Sequence, residues 1–471
     1  MIKTDICVIG GGSGGLSLAA GAVQMGARVV LVERAKMGGD CLNYGCVPSK
    51  SLLAAAHAAD TDHAEAMGVK LTGKVNFAAV SKHVQKVINA IAPHDSVERF
   101  TELGVKVIKA KARCVDAHTI QAGKETIRAK YIVFATGSSA MTPPIPGVDK
   151  IKYFTNETIF ANATLPQHLL VIGGGPIGME MAYAHARLGS KVTLLERFSI
   201  MPRDDAELVE KIRERAAGLG IRMVENCEIV SVGKTAKGVS IKYAVNGGKQ
   251  TSVSGSHLLI AAGRKPNLEG LDLEKAGVEY TPRGIEVDKR LRTSRKHIYA
   301  IGDVAGGPQF THVAGYHAGI VIRNILFKLP ARVDYAALPW VTYTDPELAH
   351  VGLNWKQACE ALGEDNLRLL SFSFSDNDRA QAERRTEGKV KVIAGKKGSI
   401  LGVDMLGPRA GELIQPWCLA ISSGLKMKHM AGYIAPYPTM GEINKRVAGS
   451  YYTDALFSNR TKRLVRLLLM V

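Results

Sequence analysis

Cys41 and Cys46 are separated by four residues and are followed by an apolar run, residues 51–59, that predicts a helix. Thiols just before a helix lie near the positive end of its dipole and its free N–H groups, which favour the nucleophilic thiolate. The spacing therefore indicates a pair that can form and break a disulfide. A structural disulfide or a partial metal site is the alternative. Zinc sites usually need four ligands in close pairs, however, and no second Cys or His pair lies nearby, so we predict no metal ligands.

A glycine-rich loop, residues 10–15, lies between an apolar strand and a predicted helix, and a second strand then ends in Glu33. This order is the dinucleotide-binding fingerprint of a Rossmann-like fold. Gly10 permits the tight turn, Gly12 lets the backbone approach a pyrophosphate, and Gly15 lets the helix lie close to the strand. The helix N-terminus then stabilises the phosphate charge, and Glu33 can accept hydrogen bonds from ribose hydroxyls.

The same order of strand, glycine loop, helix, strand and acidic residue recurs at residues 173–178 and ends in Glu196. Two fingerprints imply two dinucleotides. Glu196 can pair with a free ribose diol and would repel a 2′-phosphate, which favours NADH. Arg197, directly after it, weakens this preference. Pro176 is compatible with the first position of a helix. The glycines predicted to contact this second dinucleotide are Gly173, Gly175 and Gly178.

The cysteine segment resembles the redox-active signature of the pyridine nucleotide-disulfide oxidoreductases, the family of dihydrolipoamide dehydrogenase, glutathione reductase and mercuric reductase. The matching positions are Gly39, Cys41, Asn43, Gly45, Cys46, Pro48, Ser49 and Lys50. Further matching motifs extend from the N-terminal strand to about residue 446. The resemblance implies that Cys41 exchanges with the substrate and that Cys46 is the charge-transfer thiol beside a flavin.

By the order of motifs in the family, the first fingerprint would hold FAD and the second NAD(P)H. Lys50 would pair with Glu180 and hold a cation close to the flavin N5, and Asp303 would bind ribityl hydroxyls. The other contacts to the two cofactors that the resemblance implies are Ser13, Gly14, Arg34, Gly39, Ala135, Thr136, Gly137, Gly263, Arg264, Gly302 and Ala314.

Tyr437 is the main departure from the family pattern. Relatives carry a His-Pro-Thr segment with a glutamate five positions after the histidine, and this segment enters the disulfide site of the partner subunit. Here Tyr437 stands in the histidine position, while Pro438, Thr439 and Glu442 match. A phenol with a pKa of about 10 is a poor base at pH 7, and we expect Glu442 to raise the pKa of Tyr437 further. A tyrosine at this place resembles mercuric reductases, but their C-terminal cysteine pair is missing from the last residues, Leu469-Met470-Val471.

The predicted fold is α/β, with two Rossmann-like dinucleotide-binding domains and a C-terminal α+β dimerisation domain. The expected FAD-binding domain comprises residues 1–147 and 268–337, the NAD(P)-binding domain residues 148–267, and the interface domain residues 338–471. A homodimer follows from the resemblance. The length of 471 residues also favours about three domains over a single core.

The predicted function is an FAD-dependent NAD(P)H:disulfide oxidoreductase that resembles dihydrolipoamide dehydrogenase. Electrons would pass from NADH, or from NADPH as the alternative, to FAD, to the Cys41–Cys46 disulfide and then to an acceptor. The acceptor could be a small disulfide or dithiol, a lipoyl-bearing protein, a quinone or a thiophilic metal ion as in mercuric reductase. A different class also stays open, a basic flavin-stabilised protein that binds nucleic acid or a membrane surface.

The net charge of +18 is the only sign of that last class, because the basic residues are dispersed. Their densest cluster lies in the tail, residues 460–471, which we expect to form a helix packed on its own domain rather than on a membrane. Nucleic acid and membrane are thus not expected as partners. The N-terminus runs directly into the glycine loop, which leaves no room for a signal peptide, and the five cysteines outside the pair are expected to be buried thiols. We therefore expect a cytoplasmic protein.

Overall fold

The computed structural model describes residues 1–470, which fall into two compact units. The first unit comprises Met1–Ala58, Val75–Arg197 and Val224–Val333. The second comprises Ala59–Lys74, Phe198–Met223 and the C-terminal part from Asp334.

The secondary-structure elements are numbered along the chain. The helices are α1 (Ser13–Gln24), α2 (Gly39–Asn43), α3 (Cys46–Ala58), α4 (Thr61–Ala66), α5 (Phe77–Ile91), α6 (Val97–Glu102), α7 (Asn156–Ile159), α8 (Pro176–Arg187), α9 (Ala206–Gly218), α10 (Thr311–Leu326), α11 (Trp355–Leu362), α12 (Asp378–Ala382), α13 (Ala410–Leu413), α14 (Gln415–Ser422), α15 (Met427–Gly432), α16 (Glu442–Leu456) and α17 (Asn459–Leu468). Short 3-10 helices are Ala92–Asp95, Val148–Lys150, Leu273–Ala276, Gly302–Ala305, Glu364–Asn366 and Phe374–Asp376. The strands are β1 (Ile2–Ile9), β2 (Val29–Glu33), β3 (Lys106–Lys109), β4 (Ala112–Cys114), β5 (Thr119–Ala122), β6 (Glu125–Phe134), β7 (Ser138–Ala140), β8 (His168–Ile172), β9 (Lys191–Leu195), β10 (Arg222–Val224), β11 (Cys227–Thr235), β12 (Gly238–Val245), β13 (Thr251–Gly255), β14 (His257–Ile260), β15 (Arg264–Pro266), β16 (Tyr280–Thr281), β17 (Gly284–Ile285), β18 (Ile298–Ala300), β19 (Pro339–Thr342), β20 (Glu347–Gly352), β21 (Leu367–Ser373), β22 (Lys389–Gly395) and β23 (Ile400–Gly407).

The first glycine loop follows the central strand of the largest sheet. The sheet has the order β3-β2-β1-β6-β5-β4, and β18 pairs with β6. Strands β1, β2, β3, β6 and β18 are parallel, and all five residues of β2 are buried, as expected for a strand with helices on both faces. The next strands along the chain, β2 and β3, lie on one side of β1, and the later parallel strand β6 lies on the other. The carboxyl end of β1 is therefore a topological switch point, where such sheets bind ligands.

The second glycine loop follows β8, which pairs in parallel with β9 on one side and β14 on the other. The antiparallel strands β11, β12 and β13 lie next in sequence and share a buried core with β8 and β14. The two glycine loops therefore occupy equivalent places, each at the carboxyl end of a central parallel strand.

The second unit contains an antiparallel sheet of the order β19-β20-β23-β22-β21. Its buried core includes Phe374 and Trp417, and the indole N–H of Trp417 donates to the side-chain oxygen of Asn444 at 2.8 Å. This bond joins α14 to α16 and satisfies the buried indole N–H.

Three expectations need correction. Helix α3 begins at Cys46 rather than near residue 51, because Pro48 lies in the first turn, where a missing N–H costs little. Cys359 and Cys418 are only partly buried, unlike Cys7, Cys114 and Cys227. The predicted terminal helix exists as α17, but it contains no buried residue and does not pack on its own domain. In residues 1–470, every helix is too short or too polar to cross a lipid bilayer.

Candidate active site

The two cysteines lie on successive helices at the first glycine loop. Cys41 is in the short helix α2, and Cys46 is the first residue of α3. Gly39, at the start of α2, has φ +58° and approaches Gly12 so closely that a Cβ on Gly39 would lie 2.6 Å from the Gly12 Cα. Two glycines are therefore required where the cysteine segment covers the loop.

Hydrogen bonding makes the two thiols chemically different. Cys41 donates to the sulfur of Cys46, which lowers the pKa of Cys46 to about 6 and raises the pKa of Cys41. Burial opposes the shift at Cys46, whereas a hydrogen bond with Thr311, 3.3 Å away, and the charge of Lys50 support it. At neutral pH Cys46 is consequently the thiolate and Cys41 the thiol.

Lys50 and Glu180 form the ion pair expected from the resemblance, with 2.8 Å between Nζ and Oε2. Lys50 lies one turn after Cys46 on α3, while Glu180 lies in α8, the helix that follows the second glycine loop. The Glu180 side chain is 6% exposed, so its charge is held by this lysine away from water. The pair ties the cysteine helix to the second fingerprint.

The first glycine loop fits a dinucleotide phosphate. Gly10 has φ +113°, and a side chain there would overlap the carbonyl oxygen of Ala135. A side chain on Gly15 would overlap the carbonyl oxygen of Gly10. At Gly12 the nearest atom to an added Cβ lies 3.7 Å away, so a side chain would fit there. Glycine instead leaves this space for a ligand to approach the backbone. The residues present therefore fit the pyrophosphate of FAD.

Glu33 is buried at the edge of this loop. Its carboxylate accepts hydrogen bonds from the backbone N–H groups of Gly11, at 2.6 Å, and Ala35, at 2.5 Å. These bonds fix the orientation of the carboxylate and still leave lone pairs for ribose hydroxyls.

The first turn of helix α10 also lies against the first glycine loop. The Cβ of Ala314, on α10, would lie 3.2 Å from a Cβ added at Gly14 and 3.1 Å from one added at Gly302. Asp303, next to Gly302, accepts a hydrogen bond from Ser138 at 2.5 Å, and its pKa is raised by burial.

Arg264 links Asp303 to α2, the helix that contains Cys41. Its Nε donates to Ser138 at 2.8 Å, and its Nη2 lies 3.2 Å from the carboxylate of Asp40. Asp40 also accepts a hydrogen bond from Asn156 at 3.0 Å. Sequence reasoning missed Ser138, Asp40 and Asn156, because their partners are distant in sequence and only the fold brings them together.

The second glycine loop repeats the first. Gly173 has φ +113°, and a side chain on Gly178 would overlap the carbonyl oxygen of Gly173. Glu196 accepts a hydrogen bond from the backbone N–H of Gly174 at 2.6 Å. An added Cβ on Gly175 would meet no atom within 4 Å. As expected, Pro176 is the first residue of the helix that follows.

The remaining residues predicted to contact the cofactors differ in their exposure and hydrogen bonding. The Ser13 hydroxyl, at the start of α1, hydrogen-bonds to the sulfur of Cys41. Thr136 donates to a backbone carbonyl at 2.8 Å, and Gly137 and Gly263 have positive φ. Arg34 is exposed beyond the end of β2.

Tyr437 and Glu442 belong to the second unit, whereas both cysteines belong to the first. Tyr437 is 69% exposed, and its hydroxyl donates to the Asp378 carboxylate at 2.9 Å. This hydrogen bond is the main reason that the pKa of Tyr437 is raised. Glu442 also raises the pKa of Tyr437, as expected, but contributes less than Asp378, which had no sequence signal. Glu442 begins α16 and pairs with Arg446 at 3.2 Å.

Comparison with known proteins agrees with this arrangement. Residues 4–318 match the family described as pyridine nucleotide-disulphide oxidoreductase, and residues 338–448 match the dimerisation domain of that family. A mercuric reductase of Streptomyces lividans is 35% identical over 460 residues, covering 96% of this chain and 96% of the relative. A dihydrolipoyl dehydrogenase of Geobacillus stearothermophilus is 35% identical over 462 residues, covering 95% of this chain and 96% of the relative. The solved copper(II) complex of RclA, an HOCl-induced flavoprotein disulfide reductase from Escherichia coli, superposes with a TM-score of 0.86 at 27% identity and covers 96% of this chain and 100% of that one.

Proposed function

The chain belongs to the pyridine nucleotide-disulphide oxidoreductases, and from this premise we propose that its dithiol delivers electrons to a soft, thiol-binding metal ion. The protein is an FAD-dependent oxidoreductase, and its dimerisation domain supports a homodimer. When bound, FAD supplies a two-electron carrier between the nicotinamide and the dithiol. Which acceptor takes the electrons depends on what the residues near the dithiol can do with protons.

The substitution at Tyr437 carries the proposal. Reduction of a disulfide acceptor leaves two thiolates that must be protonated, and a histidine suits this transfer at neutral pH. The Tyr437 hydroxyl instead donates a hydrogen bond to the Asp378 carboxylate, and the pKa of Tyr437 is raised above the ordinary value for a phenol. A group that keeps its proton at neutral pH exchanges it poorly, so acceptors that need no proton are favoured.

A soft metal ion is such an acceptor. Thiolates are the preferred ligands of soft metals, and Cys46 is already a thiolate at neutral pH. Binding to both sulfurs would release the proton of Cys41 to solvent. Oxidation of the pair to a disulfide then yields two electrons, enough to reduce one mercury(II) ion to the metal or two copper(II) ions to copper(I). The mercuric reductase and the copper complex of RclA among the similar proteins support this choice.

The proposed roles within the site follow the resemblance. Cys41 is the thiol that meets the acceptor, and Cys46 is the thiolate that faces the flavin. The pair formed by Lys50 and Glu180 holds a cation near the flavin ring. We also propose an FAD-binding region of residues 1–147 and 268–337, an NAD(P)-binding region of residues 148–267 and a reducing, cytoplasmic compartment. Tyr437 would reach the dithiol of the partner subunit.

NADH is the proposed electron donor. Glu196 is held at the second loop by the Gly174 N–H, where its charge would repel a 2′-phosphate. Arg197, directly after Glu196, acts in the opposite direction, since its positive charge would attract that phosphate.

Dihydrolipoamide is the second candidate partner, because the dihydrolipoyl dehydrogenase is as similar to this chain as the mercuric reductase is. The experiment that separates the two candidates is an acceptor comparison at neutral pH. NADH oxidation would be followed with mercury(II), copper(II) and lipoamide, in the wild type and in the Tyr437→His and Tyr437→Phe variants.

We expect faster turnover with metal ions than with lipoamide in the wild type. Tyr437→His should raise lipoamide turnover by about 10²-fold, the low end of general acid–base effects, whereas Tyr437→Phe should not. Tyr433→His is the matched control, since the Tyr433 hydroxyl is bound to the carbonyl of Gly441. Wild-type lipoamide turnover equal to that with metals would overturn the proposal and favour dihydrolipoamide.

A further inference from the structure

Helix α17 presents two faces of opposite character. Leu464, Val465 and Leu468 recur at the spacing of one helix face, together with Thr461. All three apolar side chains are exposed, with Leu464 at 53% and Leu468 at 63%. An apolar helix face normally packs against a core, so this one lacks the usual partner.

The opposite face of α17 is basic. Lys462, Arg463 and Arg466 recur at the same helical spacing, and Arg460 lies on the flank. The last acidic residue before them is Asp454, so residues 455–470 carry four positive side chains and no negative one.

The turn before α17 fixes the start of the helix but leaves both faces exposed. The Ser458 hydroxyl accepts from the backbone N–H of Thr461 at 3.3 Å, and the Thr461 hydroxyl donates to the carbonyl of Ala455 at 2.7 Å. Leu456 and Phe457, directly before this turn, are also exposed, at 58% and 68%. Exposed apolar side chains therefore lie on both sides of this turn, at the end of α16 and in α17.

We propose that α17 binds the surface of an anionic lipid bilayer and lies in the interface plane. The helix is about 15 Å long by its ten residues, far short of a membrane span. A short helix with leucines on one face and cations on the other buries the leucines at the acyl boundary and holds its cations beside lipid phosphates. Phe457 would add a side chain suited to the same boundary.

A second copy of the chain is a less suitable partner for α17 than a lipid surface. The match to the dimerisation domain ends at residue 448, before α17 begins. In a twofold interface, packing α17 on its symmetry mate through the apolar faces would also leave the four cations of each helix without an acidic partner from either helix. Charge complementarity thus favours an anionic surface.

The test uses the FAD-loaded, full-length enzyme and sedimentation with vesicles. Vesicles of phosphatidylcholine alone are compared with vesicles that also contain phosphatidylglycerol, at low and high salt. We expect binding to the anionic vesicles only, and weaker binding in high salt, because salt screens surface charge.

Two pairs of variants distinguish the basic face from the apolar face. Lys462→Gln/Arg466→Gln should weaken partition by about 30-fold, since each basic residue near an anionic surface contributes roughly fivefold. The control is Lys82→Gln/Lys86→Gln, which removes two exposed charges at the same spacing on α5. Leu464→Glu/Leu468→Glu should abolish binding, whereas Leu419→Glu, at a leucine that is 65% exposed on α14, should not.

Equal binding to neutral vesicles, or no binding of the wild type to anionic vesicles, would overturn the proposal. Loss of the dimer in Leu464→Glu/Leu468→Glu, measured by sedimentation velocity, would assign the helix to a second copy instead. NADH oxidation with a soluble dye is measured in every variant and should be unchanged, so a failure here is distinct from a failure of the proposed acceptor.

Discussion

The glycine loops at residues 10–15 and 173–178 share their backbone geometry but have different neighbours. In both, the first glycine has φ +113° and the last excludes any side chain by its contact with the first. Above Gly12, however, Gly39 and the cysteine helix cover the first loop, whereas no atom lies within 4 Å of a Cβ added to Gly175. The loop sequence thus sets how a pyrophosphate is held, and the surrounding packing sets whether the bound molecule can leave. A covered loop suits retained FAD and an open loop suits a nicotinamide cofactor that exchanges in each turnover.

The largest expected effect comes from adding a side chain to the last glycine of either loop. Gly15→Ala and Gly178→Ala each force a methyl group onto a backbone carbonyl, which overpacks the loop and costs about 1–3 kcal/mol of stability. Gly15→Ala should yield colourless protein without flavin. Gly178→Ala should stay yellow but lose NADH oxidation.

Flavin absorbance per chain and NADH turnover measure the two outcomes. Gly319→Ala is the control, because an added Cβ there meets nothing within 4 Å and lies within α10. Loss of flavin in both loop variants would show that the loops are not separate sites.

A smaller effect should follow from disturbing only the cover. Gly39→Ala places a Cβ 2.6 Å from the Gly12 Cα at a left-handed φ, which costs an additional roughly 1–2 kcal/mol. We expect faster flavin release on dilution, seen as a rise in free-flavin fluorescence. Gly175→Ala, at the open loop, should raise only the KM for NADH. If Gly39→Ala releases flavin at the wild-type rate, the cover does not retain the cofactor.

The covered loop also carries the dithiol, and its pH dependence can be measured. Cys46 has a pKa of about 6, so in reduced enzyme its thiolate should persist at neutral pH and be protonated as the pH falls below about 6. The thiolate-to-flavin absorbance at long wavelength should follow that titration. Cys41→Ala removes the hydrogen-bond donor and should move the midpoint to higher pH. An unchanged midpoint in Cys41→Ala would mean that Cys41 does not set the pKa.

The smallest effect concerns the acidic residues beside the loops. Glu196→Ala should narrow the preference for NADH over NADPH by about fivefold, since one charge near a phosphate contributes on the order of 1 kcal/mol. Glu33→Ala is the matched variant at the covered loop and should leave the nucleotide preference unchanged. The ratio of kcat/KM for the two nucleotides decides this, and a wild type that uses NADPH equally well would contradict the proposed donor.

Features that depend on local sequence patterns could be predicted, whereas features that depend on contacts between distant residues could not. Both glycine loops, the position of Pro176 and the family were accessible because glycine spacing, proline chemistry and signature segments are local. The hydrogen-bond partner of Tyr437 could not be predicted, because Asp378 comes 59 residues earlier and only the fold of the second unit brings the two together. The exposure of α17 was missed for a related reason, because an amphipathic pattern predicts a helix with an apolar face without identifying what covers that face.

The hydrogen bond between Cys41 and Cys46 has a further consequence under oxidative stress. A thiolate of low pKa is the form of cysteine that peroxides oxidise first, and Cys46 is such a thiolate. A sulfenic acid formed on Cys46 would already touch the Cys41 thiol, which can displace water and close the disulfide. The damage would then end in a state that the enzyme reduces in every catalytic cycle, before the sulfur reaches the irreversible sulfinic acid.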